Sequence, residues 1–264
     1  MTPEQLRALL EQVAAQAADS GELPGAGAAG PPAGAIFRPT DTRAAGVVAD
    51  WVTPVAQRWA PQLGLGPRDL ARFLAQGLTL HEPVAAVEVA PSGLIAVTLE
   101  DAARSAIVQH VLAHEDDYAL GDGAALPAFA EVPGGRPPGD PVLGAQLAHA
   151  RLCRLIRNAE AAGVERRASA RLEQLTHVAE RHLLVALADL PQRLDTHSGD
   201  EVQQGRAVTD LADLANDWDH PLRPAVVGDP VRSVHAARLL LADATRVVLR
   251  NGLARLGASA PERM

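Results

Sequence analysis

The residues of this chain best able to do chemistry are a few histidines, one cysteine, a glycine run and a set of arginines. His110 and His114 stand four apart and precede Glu115, so on a helix they would share a face at a spacing zinc uses. The sequence places no third ligand beside them, and Glu115-Asp116-Asp117 opens an acidic stretch. A solvated charged face, and no metal, is the expectation. His177 and His182 are five apart and diverge around a helix. Cys153 is the single cysteine, which excludes an internal disulfide framework and a cysteine-based zinc site. The run from Gly25 to Gly30 spells the dinucleotide fingerprint, yet it follows Glu22-Leu23-Pro24 and ends at Pro31-Pro32. Neither the strand nor the helix that would aim backbone N–H groups at a pyrophosphate is present, so a loop and no cofactor are expected. No nucleophile pairs with a base at a readable spacing, and no catalytic residue is assigned.

Composition limits the rest. Of 264 residues, 47% are hydrophobic and only 3% aromatic, so the core must be built from Leu, Ala and Val. There is no lysine; every basic side chain is arginine. The net charge of −8 argues against a general nucleic-acid binder. That charge is uneven: residues 1–140 hold 17 acidic and 8 basic side chains, residues 141–264 hold 15 and 16. Any RNA contact belongs in the second half. No apolar run reaches the length of a membrane span, and the first residues lack the basic-then-apolar order of a secretion signal. A soluble cytoplasmic protein without a membrane partner is expected.

These residues need elements to position them. Leu6, Leu9, Leu10, Val13, Ala14 and Ala17 recur at helical spacing over 3–18. Helices are expected over about 44–60, where Pro54 is a candidate interruption, from Pro67 to about 76, and from Asp101 to about 114. Val84–Val89 and Leu94–Leu99, joined by Ala90-Pro91-Ser92-Gly93, read as a hairpin. Residues 1–113 thus form an α+β domain, helices on a small antiparallel sheet. Residues 114–140 turn acidic and then Gly/Pro-rich, a linker by composition. Beyond it, helical periodicity over 141–162, 168–190, 201–218 and 231–256 predicts an all-α bundle in 141–264.

The last helix carries Ala244-Thr245-Arg246-Val247-Val248-Leu249-Arg250-Asn251-Gly252-Leu253, and the chain closes on Ala260-Pro261-Glu262-Arg263-Met264. Both resemble the end of bacterial arginyl-tRNA synthetases, "ATRQVL.NGL.LLG" followed by "APERM". Asp140-Pro141-Val142, continued by Gln146-Leu147-Ala148-His149-Ala150-Arg151, is similar to that family's "NPVYYVQYAHAR". In the first domain, Pro67-Arg68-Asp69-Leu70-Ala71 and Val87-Glu88-Val89-Ala90 resemble the family's N-terminal appendage, which contacts the tRNA elbow. Leu147 stands where the family has a tyrosine, and Asp50 and Ala96 where it has asparagines. The "HIGH" and "KMSK" signatures that hold ATP are absent, and about 25 linker residues stand where the family has its catalytic domain.

The resemblance implies a DALR-type anticodon-binding domain and no ligase chemistry in this chain. The implied ligand is tRNA, with tRNA-Arg the first choice. Single-stranded RNA is held by base stacking, edge hydrogen bonds and phosphate contacts. On that basis Arg151, Arg154 and Arg250 are expected on phosphates, Gln146 and His149 on base edges or in support, Trp218 as a stacking plane, and Met264 at the terminal seam. The alternative is a protein-interaction paralogue that partners a full-length synthetase or another protein and no longer binds RNA.

Overall fold

Thr2-Pro3-Glu4-Gln5 is a helix-start sequence, and in the computed structural model the first helix, α1 (Pro3–Asp19), begins there. The Thr2 hydroxyl accepts the Gln5 N–H while the Gln5 side chain takes the Thr2 N–H, closing a capping box. The structure describes residues 1–23, 30–34, 37–40, 49–121, 136–137, 140–167, 170–222, 228 and 230–264. The run at 25–29 and the linker from 122 to 135 lie outside them.

The chain forms two compact units, Met1–Arg104 and Ser105–Met264. In the first, α1 lays Leu6, Leu10, Val13 and Ala17 into the core against α3 (Pro67–Thr79). The sheet comprises β1 (Arg38–Pro39), β2 (Trp51–Thr53), β3 (Val84–Val89) and β4 (Ile95–Leu99) in the order β1-β2-β4-β3, antiparallel throughout. The β3–β4 hairpin falls where expected. Gly93 turns it with φ +84°, and a Cβ there would lie 2.9 Å from the Pro67 carbonyl, so the turn needs both the open conformation and the missing side chain.

One expectation fails. The helix foreseen over 44–60 is instead the strand β2 followed by α2 (Val55–Leu63); residues 44–48 are outside the described set. Trp51, Val52 and Thr53 are bulky or β-branched and pair with Val97, Ala96 and Ile95 of the central strand. Pro54, which has no N–H to give a ladder, ends the strand, and the Thr53 hydroxyl accepts the Val55 N–H at 3.2 Å to start the helix.

The first unit also buries an ion pair. Asp50 sits between β1 and β2 and is 5% exposed; Arg104, in α4 (Asp101–Ala113), is 3% exposed. Arg104 Nε and Nη2 each donate to Asp50 carboxylate oxygens at 2.8 Å, and the Leu99 N–H donates to the same carboxylate at 2.7 Å.

The second unit is helical: the rest of α4, then α5 (Pro141–Ala161), α6 (Val178–Thr196), α7 (Glu201–Leu222) and α8 (Ser233–Arg255). The fold class is thus an α+β unit with a small antiparallel sheet followed by an all-helical unit. α5 packs on α7 and α8, and α6 on α7. α8 is buried on most sides, with Leu239, Leu241, Val247, Val248, Leu249 and Leu253 in the core. A Cβ on Gly252 would stand 3.1 Å from Val208, so α7 and α8 cross closely there. The second helix begins later than the leucine spacing suggested. Leu172–Gln174 is a short 3₁₀ turn, and α6 starts at Val178 because His177 accepts the Ala179 N–H at 3.2 Å and Glu180 takes the His177 N–H at 2.9 Å. Residues 114–118, read as the start of the linker, pack on this unit: Tyr118 is buried and its hydroxyl donates to the Leu187 carbonyl at 2.8 Å. Among the described residues no helix is long and apolar enough to cross a membrane.

Removing one member of a buried ion pair strands the other, at a cost of about 3–5 kcal/mol. Asp50→Ala should therefore destabilise the Met1–Arg104 unit by about that much in urea unfolding, and Asp50→Ala with Arg104→Leu should recover a good part of the loss. An unchanged unfolding curve for the single variant contradicts this role.

Candidate nucleic-acid interface

α5 is set by its start. Asp140 caps it, its carboxylate accepting the Val142 and Leu143 N–H groups at 2.8 and 3.3 Å, and Pro141 stands at the first helical position. From that start the 3.6-residue period divides the helix. Ala145, Ala148, Leu152 and Ile156 are buried, while Leu147, Arg151, Arg154 and Arg157 line the opposite side.

The chain after α8 returns over α5. Gln146 Nε2 donates to the Ser259 carbonyl at 3.0 Å and lies 3.3 Å from its hydroxyl. His149 Nδ1 is 2.9 Å from the Pro261 carbonyl, so that nitrogen carries the hydrogen and donates. Both side chains are buried, at 5% and 2% exposure. They are one helical turn apart and hold the tail at two successive points.

Beyond this anchorage, Glu262, Arg263 and Met264 close a concave site of about 730 Å³. α5 supplies Leu147, Ala150, Arg151, Arg154 and Arg157, and α7 supplies Asn216. Arg151 Nη1 donates to Asn216 Oδ1 at 3.3 Å, and Arg157 stands 4.0 Å from Glu262. Four guanidinium groups face one side-chain carboxylate, so the site attracts anions. Leu147 and Met264, 49% and 62% exposed, give it an apolar patch.

Of the residues expected to bind RNA, the structure brings Arg151, Arg154 and Met264 to this one cavity. Gln146 and His149 face the tail instead, acting as its supports. Trp218 does not stack a base: it is 0% exposed, in the core with Leu211 and Ala215, and its indole N–H has no acceptor among the described residues. Arg250 is not in the cavity either; it donates to the Glu115 carbonyl at 2.8 Å and holds residues 115–118 on α8 together with Asn251. Reading the sequence missed Arg157, Arg263 and Asn216. Arg157 continues the helical spacing of Arg154 and was legible; Asn216 and Arg263 join only through tertiary folding. Asp50 and Ala96, where the family has asparagines, are buried in the first unit.

His114 Nδ1 is 2.9 Å from the His110 carbonyl and their rings lie 4.6 Å apart. Among the described residues no three His, Cys, Asp or Glu side chains are placed to hold a metal. Burial pushes the Cys153 thiol up from its ordinary value.

Residues 145–264 match the family model of the DALR anticodon binding domain. The chain is 39% identical over 176 residues to the arginine–tRNA ligase of Clavibacter sepedonicus, covering 64% of this chain and 30% of that one. It is 34% identical over 205 residues to that of Frankia alni, covering 76% and 33%. With that of Kineococcus radiotolerans it shares 40% over 130 residues, covering 47% and 23%. The matched part spans no more than 33% of the length of these relatives. The helical unit carries a DALR anticodon-binding domain. The chain that bears it resembles arginine–tRNA ligases over part of their length.

Two outcomes test the anchorage. Gln146→Ala with His149→Ala should raise amide hydrogen exchange across 259–264 by at least tenfold while the exchange of α8 stays slow; unchanged tail exchange would exclude the latch. The second concerns pH. Burial, the largest influence, lowers the His149 pKa below its ordinary 6.5; nearby Arg246 and Arg250 lower it further, against Glu262 and the Pro261 carbonyl. The unfolded chain then binds the proton first, so His149 withdraws stability as pH falls below about 6.5. His149→Asn keeps a donor without titrating, and its stability should fall less than wild type between pH 7 and pH 5; equal losses would exclude His149 as a contributor.

Proposed function

We propose that this chain binds tRNA through its helical unit and forms no aminoacyl-adenylate. The carrying observation is the arginine-lined cavity between α5 and the returning tail, inside a DALR anticodon-binding domain. A cavity of that size admits one or two splayed nucleotides. The arginine–tRNA ligase relatives support tRNA-Arg as the ligand and its anticodon loop as the part bound. The absence of both ATP-binding signatures from these 264 residues supports binding without ligation. The cytoplasm, where such a ligand resides, is the proposed site of action.

The acidic balance of the chain makes this reading demanding, since its net charge of −8 repels phosphate at long range. The positive field must be local, and the binding correspondingly sensitive to salt. If two of the cavity's guanidinium groups neutralise about two phosphates of a single-stranded loop, log Kobs should fall with log salt at a slope of about −1.4, roughly fivefold for a threefold rise. Titrating tRNA-Arg and an unrelated tRNA across a salt series measures this. Absence of binding at about 50 mM salt overturns the reading and favours a protein partner.

A further inference from the structure

The geometry points to Arg151 as the plane on which a splayed RNA base stacks, a role that rests on the tRNA reading above. A loop-binding site needs flat partners for unstacked bases, and these are aromatic rings or guanidinium planes. Among its described residues the helical unit has almost no ring to offer. Its described aromatic side chains other than histidine are Tyr118 and Trp218, 7% and 0% exposed, both packed in the interior. The rings nearest the cavity in sequence are thus unavailable, and His149 is turned to the tail with its Nδ1 on Pro261. The planes left in the cavity are its guanidinium groups.

These groups are not equivalent. A stacking surface must be held in one orientation before the base arrives, or ordering it offsets the gain. Arg151 is half-buried on α5, with Nη1 on Asn216 Oδ1 at 3.3 Å across to α7. Its plane is tied to two helices of the core. Arg154 and Arg263 are exposed and have no ion-pair partner among the described residues, which suits mobile charges that follow phosphates. Arg157 stands against Glu262 at 4.0 Å, so part of its charge is answered within the site. Leu147 and Met264 supply the apolar surface on which the base's other contacts are made without competing hydrogen bonds. The cavity therefore divides its work: Arg151, positioned by Asn216, takes the base, while Arg154 and Arg263 take the backbone.

The division separates shape from charge, which lysine can test because it keeps the charge and lacks the plane. Two probes are used with the full chain: the anticodon stem-loop of tRNA-Arg, and the same stem-loop with an abasic loop that keeps every phosphate. Wild type should prefer the intact loop about tenfold or more. Arg151→Lys should abolish most of that preference while leaving the salt slope unchanged. Arg154→Gln and Arg263→Gln should keep the preference, each reducing the slope by about 0.7. Asn216→Leu should weaken the preference in the wild-type background and add nothing in the Arg151→Lys background, which a merely structural role would not reproduce. Unchanged melting of the lysine variant shows that the fold is intact. Equal binding of both loops by wild type, or full preference retained by Arg151→Lys, overturns the stack and leaves tRNA binding standing. Failure of wild type to bind either probe or whole tRNA removes the tRNA reading itself, and the stack with it.

Discussion

A helix offers its surroundings a convex surface, so a concave site beside one has to be made by something that folds back over it. In this protein that is the segment after α8, and two buried side chains of α5 decide where it lies. Gln146 and His149 meet the tail chiefly through carbonyl groups, at Ser259 and Pro261, with the Ser259 hydroxyl 3.3 Å from Gln146, so the contact reads mainly backbone position and leaves the side chains from Glu262 onward unengaged by the two anchors. Those side chains are left for the cavity. The cap at Asp140 fixes the helical phase, and the phase puts anchors and arginines on different sides of one helix. Without the tail, Arg151, Arg154 and Arg157 would be an ordinary solvated stripe.

The first unit solves a different problem with a similar economy of side chains. Its sheet includes strands of two and three residues, too short to hold themselves together. The buried Asp50–Arg104 pair, with the Leu99 N–H on the same carboxylate, ties the entry to β2 to the end of β4 and the start of α4. An aspartate in that place, where the resembled family has an asparagine, is explained by the guanidinium it faces.

Where elements announce themselves by local chemistry, the sequence was enough. Asp140-Pro141 opened α5, and Ala90-Pro91-Ser92-Gly93 turned the hairpin. Trp51-Val52-Thr53 was misread because its strand character depends on Val97, Ala96 and Ile95 beside it. The late start of α6 was written in His177 and Glu180, but Leu172 and Leu175 kept the apolar spacing going and hid it. Trp218 misled for a different reason. Scarcity of aromatics made it look like a recognition residue, although its spacing from Leu211 and Ala215 puts it on the apolar face of α7. Asn216 and Arg263 had no local signature at all; a long-range approach brings them to the site.

A cavity whose side-chain positive charge comes only from guanidinium groups has a chemical character of its own. Guanidinium is the most strongly basic of the side-chain groups, so no change of cellular pH can discharge it. The chain has no lysine, so acetyl transfer and ubiquitin conjugation have no side-chain amine to modify, and amine-directed cross-linkers have no lysine to engage. Dicarbonyl reagents that condense with guanidinium groups would instead label exposed arginines, those of the cavity among them. Any control over its positive charge has to come from added negative charge, or from movement of Glu262 with the tail that carries it.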